Sequence, residues 1–291
     1  MNSIEMFNIS TFVYLAGSSV FLWHLISRGS NARIIAIFLT AIGALFNTAG
    51  LIVRGMEALR TLPVDERSIT LSKLYTLFPV TNLYESLIFF AWSTIIIYFV
   101  LEALYSIAAL GFLLTLIAFV SMLFASRYSG HAEPLVPALQ SNWLTAHVIT
   151  SFLAYAAFAG AFAAGILYLI KERSNKSPEA SGFLSILPAI NIIENMIYRV
   201  ILFGVIFLTL GIVLGAAWAN YAWGSYWSWD PKETWSLITW LFYVGFLHAR
   251  FTLEWRGKRL AILAVTGFVV TIFCYLGVNL LLSGLHSYGG E

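Results

Sequence analysis

Cysteine is nearly missing from this chain: Cys274 is the only one in 291 residues. Without a Cys-x-x-Cys pair, thiol redox chemistry and an iron–sulfur centre are excluded. Charge is scarce too, with Asp, Glu, Lys and Arg at 10% of the chain, against about a quarter in a soluble domain. No GxxxxGK[ST] loop is present to cradle phosphate, so the chain does not hydrolyse ATP itself. Inverted repeats of the transporter kind are absent. The start, MNSIEMFN, lacks the basic residues that open a cleaved signal peptide, so the first apolar run is expected to be retained. The near-balanced net charge of +2 gives no argument for a nucleic-acid partner, and none is expected.

What the chain has instead is apolar surface, with 60% hydrophobic and 16% aromatic residues. These come in continuous runs able to cross a bilayer, which takes roughly 20 residues per helix; a β-barrel would show short alternating segments. The fold class expected is an all-α polytopic membrane protein of about eight transmembrane helices, at 7–26, 33–53, 84–101, 103–124, 144–170, 198–218, 235–250 and 260–282. Little more than Glu102 separates the third from the fourth. Residues 1–70 read as an N-terminal hairpin with an outer loop and 71–291 as the main transmembrane domain. KERSNKSPEASG at 171–182 reads as a solvated loop, and SILPAINIIENM after it as an interfacial amphipathic helix.

Strict alternation of the spans places Arg28, Arg33, Lys171, Arg173, Lys176, Arg199, Arg250, Arg256, Lys258 and Arg259 on one side, which the positive-inside rule makes the inner one. Arg54, Arg60, Arg67, Lys73, Arg127 and Lys232 fall on the other. Both termini then lie outside, together with the tryptophan-rich segment of residues 218–240.

That segment holds six of the ten tryptophans and is centred on WGSYWSWDPKETW, Trp223 to Trp235. It is too polar to span a membrane and lies between two apolar runs, so it belongs at a membrane surface, where indoles concentrate. An aromatic belt usually supplies one or two tryptophans per helix end. Trp223, Trp227 and Trp229, crowded around Gly224, Ser225 and Ser228, instead have the makings of a flat shelf for a large planar ligand.

The histidines are placed by depth. His147 opens the fifth span and His286 follows the eighth, both on the outer side, with the tryptophan segment between them in sequence. A lone histidine at a helix end is more often an interface residue than a ligand. Two at one depth beside an aromatic shelf fit bis-histidine haem ligation, with one axial nitrogen on each face of the iron. His24 and His248 sit at the inner ends of the first and seventh spans, where ionisable groups are functional candidates. Beside Trp23, His24 reads first as an interface residue; for His248 both readings stand. His131 lies in a polar outer loop and is given no role. Glu85 fits a helix N-terminal acid as well as a functional group. Gly211 and Gly215, in GIVLG, read as a small-residue packing face.

The run WGSYWSWDPKETWSLITWLFYVGFLHAR, Trp223 to Arg250, resembles the WWD signature of the haem-handling protein superfamily. TNLYESLIFFAW at 81–92, WLTAHVITSFLAYAAFAGAFAAGILYLI from Trp143 and NLLLSGLHSYG at 279–289 are similar to its CcsA (ResC) subunits of System II cytochrome c biogenesis. The resemblance runs from about residue 75 to the end, and the first 70 residues carry little of it. It implies that 71–291 is a haem-handling domain whose WWD loop, 218–240, binds haem externally through Trp223, Trp227, Trp229 and Asp230. It further implies that His147 and His286 are axial ligands and that His248 is an intramembrane ligand whose mate lies on the CcsB (ResB) subunit; His24 has no counterpart. The implied activity is that of a cytochrome c haem lyase component, working with CcsB: haem b is received or exported and joined by thioethers to Cys-x-x-Cys-His of apocytochrome c. Thiol-reducing proteins are implied partners. The implied location is a bacterial inner or thylakoid-type membrane with the loop on the periplasmic or lumenal side. Arg54, Arg60 and Lys232 are available on that side for the haem propionates. A b-type cytochrome electron carrier, using His147/His286 and His24/His248, or a haem transporter without synthase activity, is the alternative.

Overall fold

A computed structural model describes residues 1–61, 75, 78, 80–128, 130, 137–174 and 187–282. The described residues form helices and connecting turns and no strands. In chain order the helices are α1 (Ser3–Ser27), α2 (Ser30–Thr61), α3 (Leu83–Tyr105), α4 (Ala108–Ala125), α5 (Asn142–Ser174), α6 (Ile190–Trp223), α7 (Pro231–Phe251), α8 (Lys258–Ile272) and α9 (Val278–Leu281). The 3₁₀ turn Pro137–Leu139 precedes α5, and a π-turn, Phe273–Gly277, joins α8 to α9 into one last span. Among the described residues seven spans are long and apolar enough to cross a membrane. The eighth expected span is α7, whose polar first turns lower its hydropathy, but which packs along α6 and α8. The chain is a polytopic all-α membrane protein.

Small residues decide how closely these helices approach, as is usual where lipid removes the hydrophobic drive for association. α1 carries Phe7, Tyr14 and Phe21 at seven-residue intervals, each set against a glycine of a neighbour. A Cβ would lie 2.5 Å from Phe7 at Gly50, 2.6 Å from Tyr14 at Gly43 and 2.5 Å from Phe21 at Gly111. The hairpin α1–α2 is thereby keyed to itself and to α4. At the centre lies α5, whose alanines 154, 156, 157, 159, 161, 163 and 164 are wholly buried, so α3, α6 and α8 can all close on it. Phe158 of α5 rests on Gly204 of α6 and stacks on Tyr243 of α7, ring centroids 3.6 Å apart.

Two sequence expectations change here, and a third that stood open is settled. α3 does not stop at Glu102; it runs on to Tyr105, and Ser106 in the left-handed region ends it. Glu102 is an interior helical residue paired with Arg33 of α2, so its charge marks a partner rather than a boundary. The amphipathic helix expected at 185–196 is not a separate element, because Ile190 onward is the continuous first part of the 34-residue α6. Glu85 is the third expectation, which the sequence left open: its amide caps onto Asn82, and its carboxylate is buried against Arg54.

Candidate functional site

One end of the bundle gathers the starts of α3, α5 and α7, the end of α6 and the end of the last span around a cavity of about 1240 Å³, counting its open mouth. Most of its lining is apolar, including Leu144, Val148, Phe152, Leu208 and Ile212, with His147, Trp218 and Trp227 in the wall.

His147 lies in the second turn of α5, and its Nδ1 is 2.7 Å from the carbonyl oxygen of Gly211 on α6. A carbonyl can only accept, so Nδ1 carries the proton and the lone pair of the neutral ring is on Nε2. A metal-binding histidine is commonly held in this way, by a backbone carbonyl that fixes tautomer and ring direction. Gly215, one turn on, makes room for the ring, since a Cβ there would lie 2.7 Å from Nδ1. The Trp218 indole runs nearly parallel to the imidazole, 15° between planes and 6.4 Å between centroids. Trp218 is itself fixed by Nε1 donating to Ala138 O at 2.9 Å. Gly211 and Gly215 do form the packing face read from sequence. Their second part in the site, as His147's acceptor and recess, was not foreseen. Their four-residue spacing, matching the four residues from His147 to Ser151, was the available signal.

The tryptophan segment is mostly helix. α6 runs to Trp223 and ends at Gly224, whose φ of 77° needs a residue without a Cβ penalty. α7 starts at Pro231, leaving 224–230 as the loop. Asp230 is the N-cap of α7, accepting from the Lys232 amide at 3.0 Å, while Glu233 accepts from the amides of Asp230 and Ser228 at 3.3 and 2.7 Å. The DPKE run is thus a capping box with proline at the first helical position, and the buried Asp230 acts in the site by fixing the loop. The indoles do not make a flat shelf. Trp227 and Trp229 meet edge to face at 88°, and Trp218 and Trp223 at 71°. Trp227 faces the cavity, whereas Trp229, at a φ of 60°, is 68% exposed. Aromatic rings prefer crossed packing to coplanar tiling, and the result is a corner open to one side.

Two of the three outer cations proposed for propionates are committed within the chain. Arg54 is buried, with Nε donating to Glu85 Oε1 at 2.8 Å and a guanidinium N–H to Gly130 O at 2.6 Å. The Lys232 ammonium donates to Cys274 O, Tyr275 O and Asn279 Oδ1. Sequence places a cation on a side of the membrane but does not show its partners.

At the other end His248 is exposed near the end of α7, on the outside of the bundle. His24 is buried, with Nδ1 donating to Gly29 O at 2.9 Å beyond the end of its own helix. α1 packs on α2 and α4, and α7 on α6 and α8, so the two histidines belong to different parts of the bundle. His286 and His131 lie outside the described residues.

Residues 80–286 match the cytochrome C assembly protein family. Among curated relatives, the cytochrome c biogenesis protein CcsA of Chlamydomonas reinhardtii is 46% identical over 73% of this chain and 61% of its own length. That of Synechococcus elongatus is 41% identical, covering 73% of this chain and 79% of the relative. That of Prochlorococcus marinus (strain MIT 9303) is 37% identical, covering 91% and 87%. Among solved structures, the cytochrome c haem lyase CcmF superposes with a TM-score of 0.67 at 19% identity, over 94% of this chain and 47% of that one, a likeness of fold. With most of its length inside the family match and the tryptophan corner at the centre of it, the chain belongs to the cytochrome c assembly proteins, alongside CcsA.

Proposed function

We propose that this chain is the haem-binding subunit of a cytochrome c synthase, which receives or exports haem b and presents it at the outer face for attachment to apocytochrome c. The observation that carries this reading is His147, its Nδ1 fixed on the Gly211 carbonyl, in the wall of an open, mostly apolar cavity that Trp218 and Trp227 also line. Haem is the substrate here. His147 Nε2 would take one face of its iron and His286 the other, and the tryptophan corner would hold the porphyrin's apolar body and exclude water. Each substrate thiol adds across a vinyl C=C, sulfur to one carbon and hydrogen to the other, with no net oxidation. The chain's contribution is to hold haem in one orientation with an edge exposed, after which the substrate's own histidine displaces a ligand. In this reading 71–291 handles haem and 1–70 braces it. A structure of the same fold carries the name haem lyase, which favours synthesis over electron transfer alone. The test is co-expression with CcsB and an apocytochrome c, scoring covalent haem by in-gel peroxidase staining. Staining should need both subunits, and haem that stays bound and is never transferred would point to the electron carrier.

Gly215→Ala gives a local check. The added methyl cannot coexist with the imidazole at 2.7 Å, so the ring must leave the Gly211 carbonyl. Losing an outer-shell partner of a metal-bound histidine costs about 10–100-fold in affinity, and haem per purified chain should fall accordingly. Gly245→Ala on α7, where a Cβ meets nothing within 4 Å, should leave haem content unchanged.

His248, exposed on α7, suits a ligand shared with CcsB. His248→Ala is expected to lower haem at the outer site several-fold, because supply from the inner side fails. His24→Ala, whose imidazole serves the α1 terminus, should leave outer haem intact. Haem-to-protein ratios of the CcsB complex decide the matter, and a second haem in the isolated chain that vanishes with His24→Ala would overturn it.

A further inference from the structure

The last span is not a uniform α-helix: between α8 and α9 it widens into the π-turn Phe273–Gly277. A π-turn spoils the regular pairing of main-chain groups and recurs at functional positions. In an apolar setting, carbonyls turned out of register need donors from elsewhere. Lys232 supplies them. Its Nζ donates to Cys274 O and Tyr275 O, both at 3.1 Å, and to Asn279 Oδ1 at 3.0 Å. An ammonium has three N–H bonds and no acceptor, so three acceptors saturate it. Among the described residues no carboxylate lies within ion-pair distance of this ammonium. A half-buried ammonium whose three hydrogen bonds all go to neutral oxygens gains less than an ion pair would for the water it gives up, so stability alone explains it poorly.

Its origin gives it a use. Lys232 lies in the first turn of α7, its own amide bonded to the Asp230 cap, so its backbone is fixed to the tryptophan loop. Its ammonium is fixed to the last span. Lys232, Tyr275 and Asn279 all line the cavity that contains His147 and Trp227, and Asn279 is seven residues before His286. We propose that Lys232 is a positioning residue that clips the tryptophan loop to the π-turn and so sets where the terminal span stands relative to His147. This rests on the bis-histidine reading given above.

Lys232→Met keeps the length of the side chain and removes every donor. In the haem-free chain, hydrogen exchange of peptides covering 273–282 should quicken at least about tenfold, the factor that loss of one hydrogen bond to a charged group corresponds to. In the haem-loaded complex, the low-spin bis-histidine spectrum should give way to a high-spin component, with several-fold less haem, and added imidazole should restore the low-spin form. Wild-type exchange and a wild-type spectrum in Lys232→Met overturn the proposal. If Lys232→Met fails to insert, Asn279→Ala is read instead: it removes one of the three acceptors and should shift both signals the same way by a smaller factor, and unchanged signals overturn the proposal. His147→Gly runs alongside. If wild type itself has no low-spin signal for His147→Gly to remove, the bis-histidine reading fails, while the exchange experiment still decides whether the clip exists.

Discussion

Replacing His147 with glycine should reduce cytochrome c maturation by more than about 100-fold, since losing a direct ligand exceeds the 10–100-fold effect of losing an outer-shell partner. The chain should still insert. The imidazole's bond to Gly211 O is one of several ties between α5 and α6, and the contacts of Phe158 with Gly204 and of Ser151 with Gly211 remain without it. The space vacated would be enclosed by Gly215, Val148 and Trp218, and free imidazole fits it. Exogenous imidazole is therefore expected to restore part of the maturation and a low-spin spectrum. His147→Ala with Gly215→Ala should rescue less well, because the added methyl narrows the recess. A His147→Gly chain that matures cytochrome c normally would remove the histidine from the mechanism.

The second large effect belongs to folding. Arg54→Ala should destabilise the chain by about 3–5 kcal/mol, the usual cost of leaving one partner of a buried ion pair alone. Glu85 is 5% exposed and holds Arg54 on one oxygen; its other oxygen accepts from the Thr81 amide and hydroxyl at 3.0 and 2.9 Å. Without the guanidinium that carboxylate stays charged in a low-dielectric setting or takes up a proton, and either way α2 loses its hold on the start of α3. Thr81, Asn82, Leu83 and Ser86 line the cavity, so loss of the pair should disturb the site as well as the fold. A loss of this size consumes much of a stability of roughly 5–15 kcal/mol. Membrane levels by immunoblot and the melting temperature in detergent should both fall. Arg54→Met combined with Glu85→Leu should recover most of the loss, because an apolar pair of similar volume needs no compensation. Equal melting of Arg54→Ala and wild type would show that the pair contributes nothing.

Fold class and helix count were legible because a bilayer forces long apolar runs, and composition alone exposes them. The tryptophan segment was legible as a cluster because its residues lie close together in sequence. Pairings across the chain were not. Glu102 looked like a helix boundary, and only the fold shows Arg33 beside it. Arg54 and Lys232 looked available for an anionic ligand, and only the fold shows their acceptors. The crossed arrangement of Trp227 and Trp229 depends on the backbone of a seven-residue loop, with Trp229 in the left-handed region, which residue order does not specify. His147 was singled out in the sequence as a candidate, but its orienting carbonyl belongs to a glycine and leaves no side-chain trace.

The contacts between α5 and α6 have a further consequence. Phe158 meets Gly204, Ser151 meets Gly211 and His147 meets Gly215, and the intervals along the two antiparallel helices are equal, seven residues and then four. The pair behaves like a vernier with three coincident marks. A one-residue slide would drive rings and hydroxyls into backbone at every mark together, so the depth of the imidazole is fixed by where the glycines fall and not by the length of chain joining the helices. Lengthening that connection by a few residues should leave the histidine at its height. Adding a single residue between Gly204 and Gly211 would rotate the two lower marks about 100° away from the upper one, and would carry the histidine's acceptor to the wrong side of its helix together with Ile212, Ala216 and Trp218 of the cavity wall.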